Sequence, residues 1–373
     1  MAPHVIDLRA ADDSRDVVHR AVQALAEGKV VAFPTETVYG LAVSGLCESA
    51  VERLATLCTN GDSHPLSLAV KSGDDALDYV PDLSPLGQRL ARRCWPGPVT
   101  LLVKDQHPES LIKQLSPHVQ QAVSSDGLVS LRVPAHQTIQ DVLRLLAGPL
   151  VLANARRRDQ GDAVTAQDVV ETHEGQVMLV LDDGRSRFAQ PSSIVQVRNG
   201  GYDVLRVGVV SEQTLKRLSS VIVLFVCTGN TCRSPMAEGM FRQRVAKKLG
   251  CRPDQVEDHG VIVLSAGIAA MMGGRASREA VDVMSEMGID LSAHESQPLT
   301  EQLVRHADLM LTMTRSHRQA ILAEWPEVAE RTKLLCHDGM DVADPVGGPT
   351  ELYRKCAQQV GAELDAWIEE LSL

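Results

Sequence analysis

Long apolar runs are missing from this chain. Nowhere in its 373 residues does one approach the ~20 that a membrane span needs, so no membrane association is expected. Basic charge is scarce too: 37 Lys and Arg stand against 48 Asp and Glu, for a formal net charge of −11. That balance argues against a broad basic surface for nucleic acid, while leaving room for a local patch. The densest basic run, "ARRRD" at Ala155 to Asp159, reads as a solvated loop. The opening "MAPHVIDLRAADDSRD" has acids early and no apolar core, so no secretory signal is expected. Eight cysteines include no C-x-x-C pair, and no His/Cys cluster has zinc spacing. They read as reduced thiols of a cytoplasmic protein that binds no metal. Internal repeats and low-complexity tracts are also lacking.

What is there suits two or three folded domains: the length allows them, and 44% apolar residues supply their cores. "SRDVVHRAVQALAEGK" predicts an amphipathic helix with Val17, Val18, Ala21, Val22 and Leu25 on one face and a stop at Gly28. "VVAFP", "PLSLAV", "LVSLRVP" and "GQVMLVLDDG" read as strands, "SAVERLATLC" as a helix, and "SPLGQRLARRCWPGPVTLLVK" as helix, turn and strand. "SSIVQVRNGGYDVLRVG" adds two late strands joined by a Gly turn. From Val221 the pattern becomes a regular strand–helix alternation beginning with "VIVLFV", which predicts a parallel sheet with helices on both faces. The only visible linker is Ser219-Ser220. The expected organisation is an open, twisted α/β domain over 1–215, then a doubly wound parallel-sheet domain over 221–373.

In such a sheet, ligands sit at the carboxyl ends of strands, and "CTGNTCRS" at Cys227 to Ser234 lies at one. A loop that leaves a strand and enters a helix turns backbone N–H groups inward and makes a site for a phosphate dianion. Gly229 is expected to supply a positive φ. Arg233 offers a planar fork for two phosphate oxygens. The same positive field favours the thiolate form of Cys227, a nucleophile in line with a bound phosphoryl group. No Gly-Lys-Ser/Thr follows, so this is not a nucleotide-binding P-loop. A carboxyl group is needed to protonate the leaving group and later activate water. "DVADPVGG" offers Asp344 before Pro345, with Gly347 and Gly348 narrowing the loop.

"VCTGNTCRSPMAEGMF", "SAG" at Ser265 to Gly267 and the late "DPVGG" together resemble the low-molecular-weight protein tyrosine phosphatase family, over essentially all of 221–373. The resemblance implies a hydrolase working through a phosphocysteine, with no cofactor and a phosphorylated protein as partner. Cys227 would be the nucleophile, Arg233 the phosphate ligand and Asp344 the general acid and then base. Thr228, Gly229, Asn230, Thr231, Cys232 and Ser234 would support the loop, Ser234 by steadying the thiolate and Asn230 by bracing the turn. Tyrosine-directed members usually carry a bulky aliphatic residue where this chain has Thr231, and aromatic residues after the Asp-Pro where it has Val346-Gly347-Gly348. Those departures resemble the protein-arginine phosphatase branch; phosphotyrosine is the alternative, with Thr231 only filling space. Cys232 reads either as a redox partner of Cys227 or as loop packing. His294 is expected to brace a turn, His317 and His337 to lie on the surface, and Met271, Met272, Met284 and Met287 to pack or to rim a contact.

"GKVVAFPTETVYGLA", "CWPGPVTLLV", "LRVP" and "PSSIV" through "VLRVGVV" resemble the threonylcarbamoyl-AMP synthase family, over about 10–212. That family joins threonine, bicarbonate and ATP for a tRNA modification. The resemblance implies ATP and threonine as ligands, a link to tRNA and double-stranded RNA, and Thr35, Tyr39, Arg132, Ser192 and Ser193 as pocket residues. Two features depart from it. Cys58 and Asn60 stand where the family has a Lys and an Arg, and Asn154, Ala155 and Arg156 stand where it has Ser-Ala-Asn. Each lost charge-assisted hydrogen bond is worth ~1.5–3 kcal/mol, so two cost roughly two to four decades in binding or rate. Arg156, Arg157 and Arg158 are candidates to replace the lost charge. The expectation is a phosphatase fused to a degenerate synthase-like domain; the alternative is a bifunctional enzyme with both activities.

Overall fold

The computed structural model describes residues 3–58, 64–157 and 161–371. The chain folds as two compact units, Met1–Leu218 and Ser219–Leu373. No helix among the described residues is long and apolar enough to cross a membrane.

In the first unit the apolar periodicity becomes the helix Ser14–Ala26, which buries Val17, Val18, Ala21 and Leu25. Asp13 caps its start by accepting from the Arg15 amide, and Gly28 leaves its end at φ +70°. The unit is built on a mixed eleven-stranded sheet. At its centre Gly40–Ser44 pairs antiparallel with Leu150–Asn154, which pairs antiparallel with Ser67–Ala69. Ser67–Ala69 runs parallel to Leu128–Arg132, and Val99–Lys104 then links this group to Ser193–Arg198. The mixed directions bring the ends of Ser67–Ala69, Leu150–Asn154 and Leu128–Arg132 to one region, where a cleft opens.

In the second unit four strands are all parallel, in the order Val261–Gly267, Val221–Cys227, Leu309–Thr312, Thr332–Leu334. Alternation along the first strand sends Val223 and Phe225 into one core and Leu224 and Val226 into another. The first core packs against the helices Arg233–Leu249, Arg278–Glu286 and Thr350–Glu370; the second packs against Glu301–His306 and Arg315–Glu324. Each fully buried side chain of that strand contributes roughly 1.5–3 kcal/mol. The chain-order pattern 2-1-3-4 puts the switch of winding direction at the carboxyl end of Val221–Cys227, the crevice where doubly wound sheets bind ligands.

Candidate active site

The strand ends at Cys227, and Arg233 already opens the next helix, so five residues make the whole turn. The turn is held from every side. Asn230 is fully buried and takes φ +55°, the left-handed region that asparagine tolerates better than most residues. This corrects the expectation that Gly229 carries the positive φ. Asn230 holds the position because all its polar atoms are used. Its Nδ2 donates to Ser234 Oγ at 2.9 Å and to Ser265 Oγ at 2.8 Å. Its Oδ1 accepts from Gln297 N at 2.9 Å, and its carbonyl oxygen accepts from His294 Nε2 at 2.8 Å. His294 is thus the brace expected of it. Ser265 passes its own proton to Glu238 Oε2 at 2.6 Å. Gly267 closes the second strand against the loop: a Cβ there would lie 2.4 Å from the Thr228 carbonyl oxygen.

Two donors converge on the sulfur. Asn230 N reaches Cys227 Sγ at 3.2 Å, and Ser234 Oγ lies 2.9 Å away. Ser234 Oγ accepts from the Asn230 amide, which leaves its hydroxyl proton for the sulfur. The 17-residue helix Arg233–Leu249 starts beside the sulfur and turns its N-terminal end to the loop. Arg233 is buried, and its Nη2 donates to Asp344 Oδ2 at 2.6 Å and to Thr228 Oγ1 at 3.3 Å. Asp344 is 44% exposed, on the loop that Gly347 turns at φ +74°. The structure therefore joins residues 111 positions apart in the chain.

Cys232 is buried, with its thiol 3.3 Å from Ser277 Oγ and 3.6 Å from Tyr353 OH. Burial pushes the Cys356 thiol up to about 12, so it stays protonated and inert. Thr231 is half-buried, and its hydroxyl lies 3.6 Å from Cys232 Sγ. Met284 is core, while Met271, Met272 and Met287 are exposed. His337 is exposed as expected, and it bonds Glu363 and Glu370 on the last helix and stacks on Trp367. His317 is not a surface residue. It is buried, with Nε2 2.9 Å from Thr228 Oγ1, because its helix starts at the carboxyl end of the strand next to Cys227. That topological position was the signal available in the sequence.

The cleft of the first unit has a volume of about 970 Å³, and its lining includes Cys58, Arg132, Asn154, Arg156, His173 and Ser192. Arg132 is buried and donates through Nη2 to Glu36 Oε1 at 2.8 Å and to Thr37 Oγ1 at 2.7 Å. Its Nε, together with Asn154 Nδ2 and His173 Nε2, is a buried polar atom with no hydrogen-bond partner among the described residues. Burial holds the His173 imidazole below its ordinary range, in the neutral form. Of the five residues expected in this pocket, the structure brings Arg132 and Ser192 to the cleft. The other three stand outside that lining. The Thr35 hydroxyl donates to Val38 O, the Tyr39 hydroxyl to Gly184 O, and the Ser193 hydroxyl to Val210 O. The "ARRRD" run is not all solvated loop: Ala155 is buried, and Arg156 lines the cleft and meets Asp162 at 3.4 Å. Asn60 and Arg158 lie outside the described residues, as does the side chain of Arg157. Glu36 and His173 were not anticipated, since neither stands out until the fold sets it beside Arg132 or in the cleft wall.

A family model described as low molecular weight phosphotyrosine protein phosphatase matches residues 222–373, and one described as telomere recombination, of the Sua5, YciO and YrdC proteins, matches 23–208. A protein-arginine-phosphatase of Bacillus subtilis is 37% identical over 154 residues, covering 40% of this chain and 93% of that protein. The threonylcarbamoyl-AMP synthase of Homo sapiens is 30% identical over 206 residues, covering 53% of this chain and 70% of that protein. The chain belongs to both families. Its second unit is a low-molecular-weight phosphatase, a hydrolase, and its first is a synthase-like domain of the Sua5 type. The phosphatase unit is also 35% identical, over 150 residues, to a protein of Ralstonia nicotianae named "Probable low molecular weight protein-tyrosine-phosphatase EpsP", covering 40% of this chain and 94% of that one.

Proposed function

We propose that the phosphatase unit hydrolyses phosphoarginine in proteins. Cys227 Sγ attacks phosphorus, the bond from phosphorus to the leaving nitrogen breaks, and Asp344 supplies that nitrogen with a proton. Asp344 then takes a proton from water, whose oxygen displaces sulfur and releases phosphate. Arg233 holds the phosphoryl oxygens, exchanging its contact with Asp344 for them. The observation that carries the substrate class is the lack of an aromatic wall. The unit has five aromatic residues: Phe225, Phe241, Tyr353 and Trp367 are buried, and Trp325 packs into the second core. The residue after Asp344-Pro345 is Val346, 67% exposed. Nothing on that loop can sandwich a phenyl ring, whereas a flexible, polar guanidinium needs no such wall. Thr231 adds a hydroxyl beside the loop. The test is turnover of phosphoarginine and phosphotyrosine peptides by the full chain, with Cys227→Ser as blank and Thr231→Ile as probe. A preference for phosphotyrosine, or equal phosphoarginine turnover by wild type and Thr231→Ile, overturns this reading.

We infer that the first unit binds ATP and threonine weakly and makes threonylcarbamoyl-AMP poorly. Cys58 lines the cleft where the family has a lysine, while three buried polar atoms there have no partner among the described residues. A link to tRNA, and to double-stranded RNA, rests on family membership alone, and a cytoplasmic location rests on eight cysteines with no disulfide among them. Synthase turnover by the full chain at rates usual for the family overturns the weak-activity reading.

A further inference from the structure

His317 touches the phosphate loop without belonging to it. The residue is 3% exposed. Nε2 lies 2.9 Å from Thr228 Oγ1, and Nδ1 lies 2.9 Å from Thr314 Oγ1. The Thr314 hydroxyl also accepts from His317 N at 3.3 Å, so one oxygen caps the helix and fixes the ring. On its other side Thr228 Oγ1 accepts from Arg233 Nη2 at 3.3 Å.

A guanidinium donates and cannot accept, so Thr228 accepts from Arg233. The Thr228 oxygen keeps a second lone pair as well as its own proton, so its bond to Nε2 fits either ring tautomer. Thr314 Oγ1, which also lies 2.8 Å from Ser316 Oγ, likewise suits either tautomer at Nδ1. With either tautomer the ring holds the Thr228 oxygen from the side opposite Arg233. The charges facing it are Arg233, Asp344 and Asp341, the last already bonded to the backbone and side chain of Arg315. Burial, then the Arg233 guanidinium, pushes His317 down to about 4, against the opposite pull of the two carboxylates.

We propose that His317 is a positioning residue for phosphate binding: its hydrogen bond to Thr228 Oγ1 holds that oxygen against Arg233 and so aims the guanidinium at the anion site. This rests on the reading that Arg233 holds the phosphoryl group. With no partner at the Nε2 position, the Thr228 side chain turns more freely and Arg233 loses one of the contacts that set its angle.

The probe is inorganic phosphate as a competitive inhibitor of the full chain, alongside kcat and KM. His317→Ala and Thr228→Val are each expected to weaken phosphate binding and raise KM by ~5–10-fold, the worth of one ordinary hydrogen bond, with a smaller change in kcat. The double variant should be no worse than either single, because both remove the same contact. His317→Gln, whose carboxamide offers a donor and an acceptor for the Nε2 position, should restore most of the binding. Additive losses, or a folded His317→Gln that behaves like His317→Ala, would overturn the proposal. If His317→Ala does not fold, Thr228→Val and His317→Gln still decide it. Absence of turnover in the wild type would instead sink the phosphatase mechanism itself, so the two failures are distinguishable.

Discussion

The two sites of this chain treat their polar groups in opposite ways. Around Cys227 the donors and acceptors form a connected set: Glu238, Ser265, Asn230, Ser234 and the sulfur run in sequence, with Gln297 and His294 bracing the turn. In the cleft of the first unit, three buried polar atoms have no partner among the described residues. The first arrangement is preorganised for a small, highly charged ligand whose geometry never varies, so the loop can be fixed before it arrives. The second keeps unpaired polar atoms in the wall of a wide cleft that also holds Cys58 and Arg156.

That contrast can be broken or sharpened by substitution. The largest effect is expected at the sulfur: Cys227→Ser should lower turnover by on the order of 10⁴-fold or more while phosphate still binds, since the loop donors remain. Steady-state turnover and phosphate titration check both halves, and residual activity near wild type would end the phosphocysteine mechanism. Next, Asp344→Ala should slow turnover by ~10²–10⁴-fold and accumulate phosphocysteine, visible by acid quench and intact mass. It should also tighten inorganic phosphate binding, because Arg233 no longer has a carboxylate to exchange; weaker binding would show that Asp344 helps to hold the anion instead.

In the cleft the expected effects are on stability and affinity. Arg132→Ala strands the buried Glu36 carboxylate and should cost about 3–5 kcal/mol in denaturant unfolding of the first unit, with phosphatase turnover unchanged. Cys58→Lys should return one charge-assisted contact and tighten ATP binding by roughly 10–100-fold in calorimetry. No gain would mean that Arg156 already does that task.

The smallest effect belongs to His337. Its hydrogen bond to Glu363, then Glu370, raises it above 6.5 against some burial. The folded value is above the unfolded one, so the stabilisation is full below about pH 6.5 and fades as pH rises through the raised value. His337→Ala should remove that slope from the stability profile, at a cost well under ~1 kcal/mol for so exposed a pair.

Much of the phosphatase site was legible because local spacing encodes it. A thiol, a turn and an arginine opening a helix are bound together by one loop, and the Asp-Pro stretch marks the second loop. The fold class followed from strand–helix alternation for the same reason. The misreadings fell where distant segments decide. The positive φ passed from Gly229 to Asn230 because Ser234, Ser265 and Gln297 all hold the asparagine side chain. Arg156 reaches the cleft wall, half-buried, because the strand Leu150–Asn154 delivers it there.

The sequence by itself determined that this chain joins two enzyme families, and it set a cysteine, an arginine and an aspartate in the phosphatase motif. Those are matters of residue type and short-range spacing. Only the tertiary structure decided that His317 stands behind Thr228, that Asp344 meets Arg233, and that Arg132 and Ser192 line the cleft while Thr35, Tyr39 and Ser193 stand outside its lining. These are contacts between residues far apart in the chain, fixed by strand order and by which face of each element is buried, and no local pattern contains them.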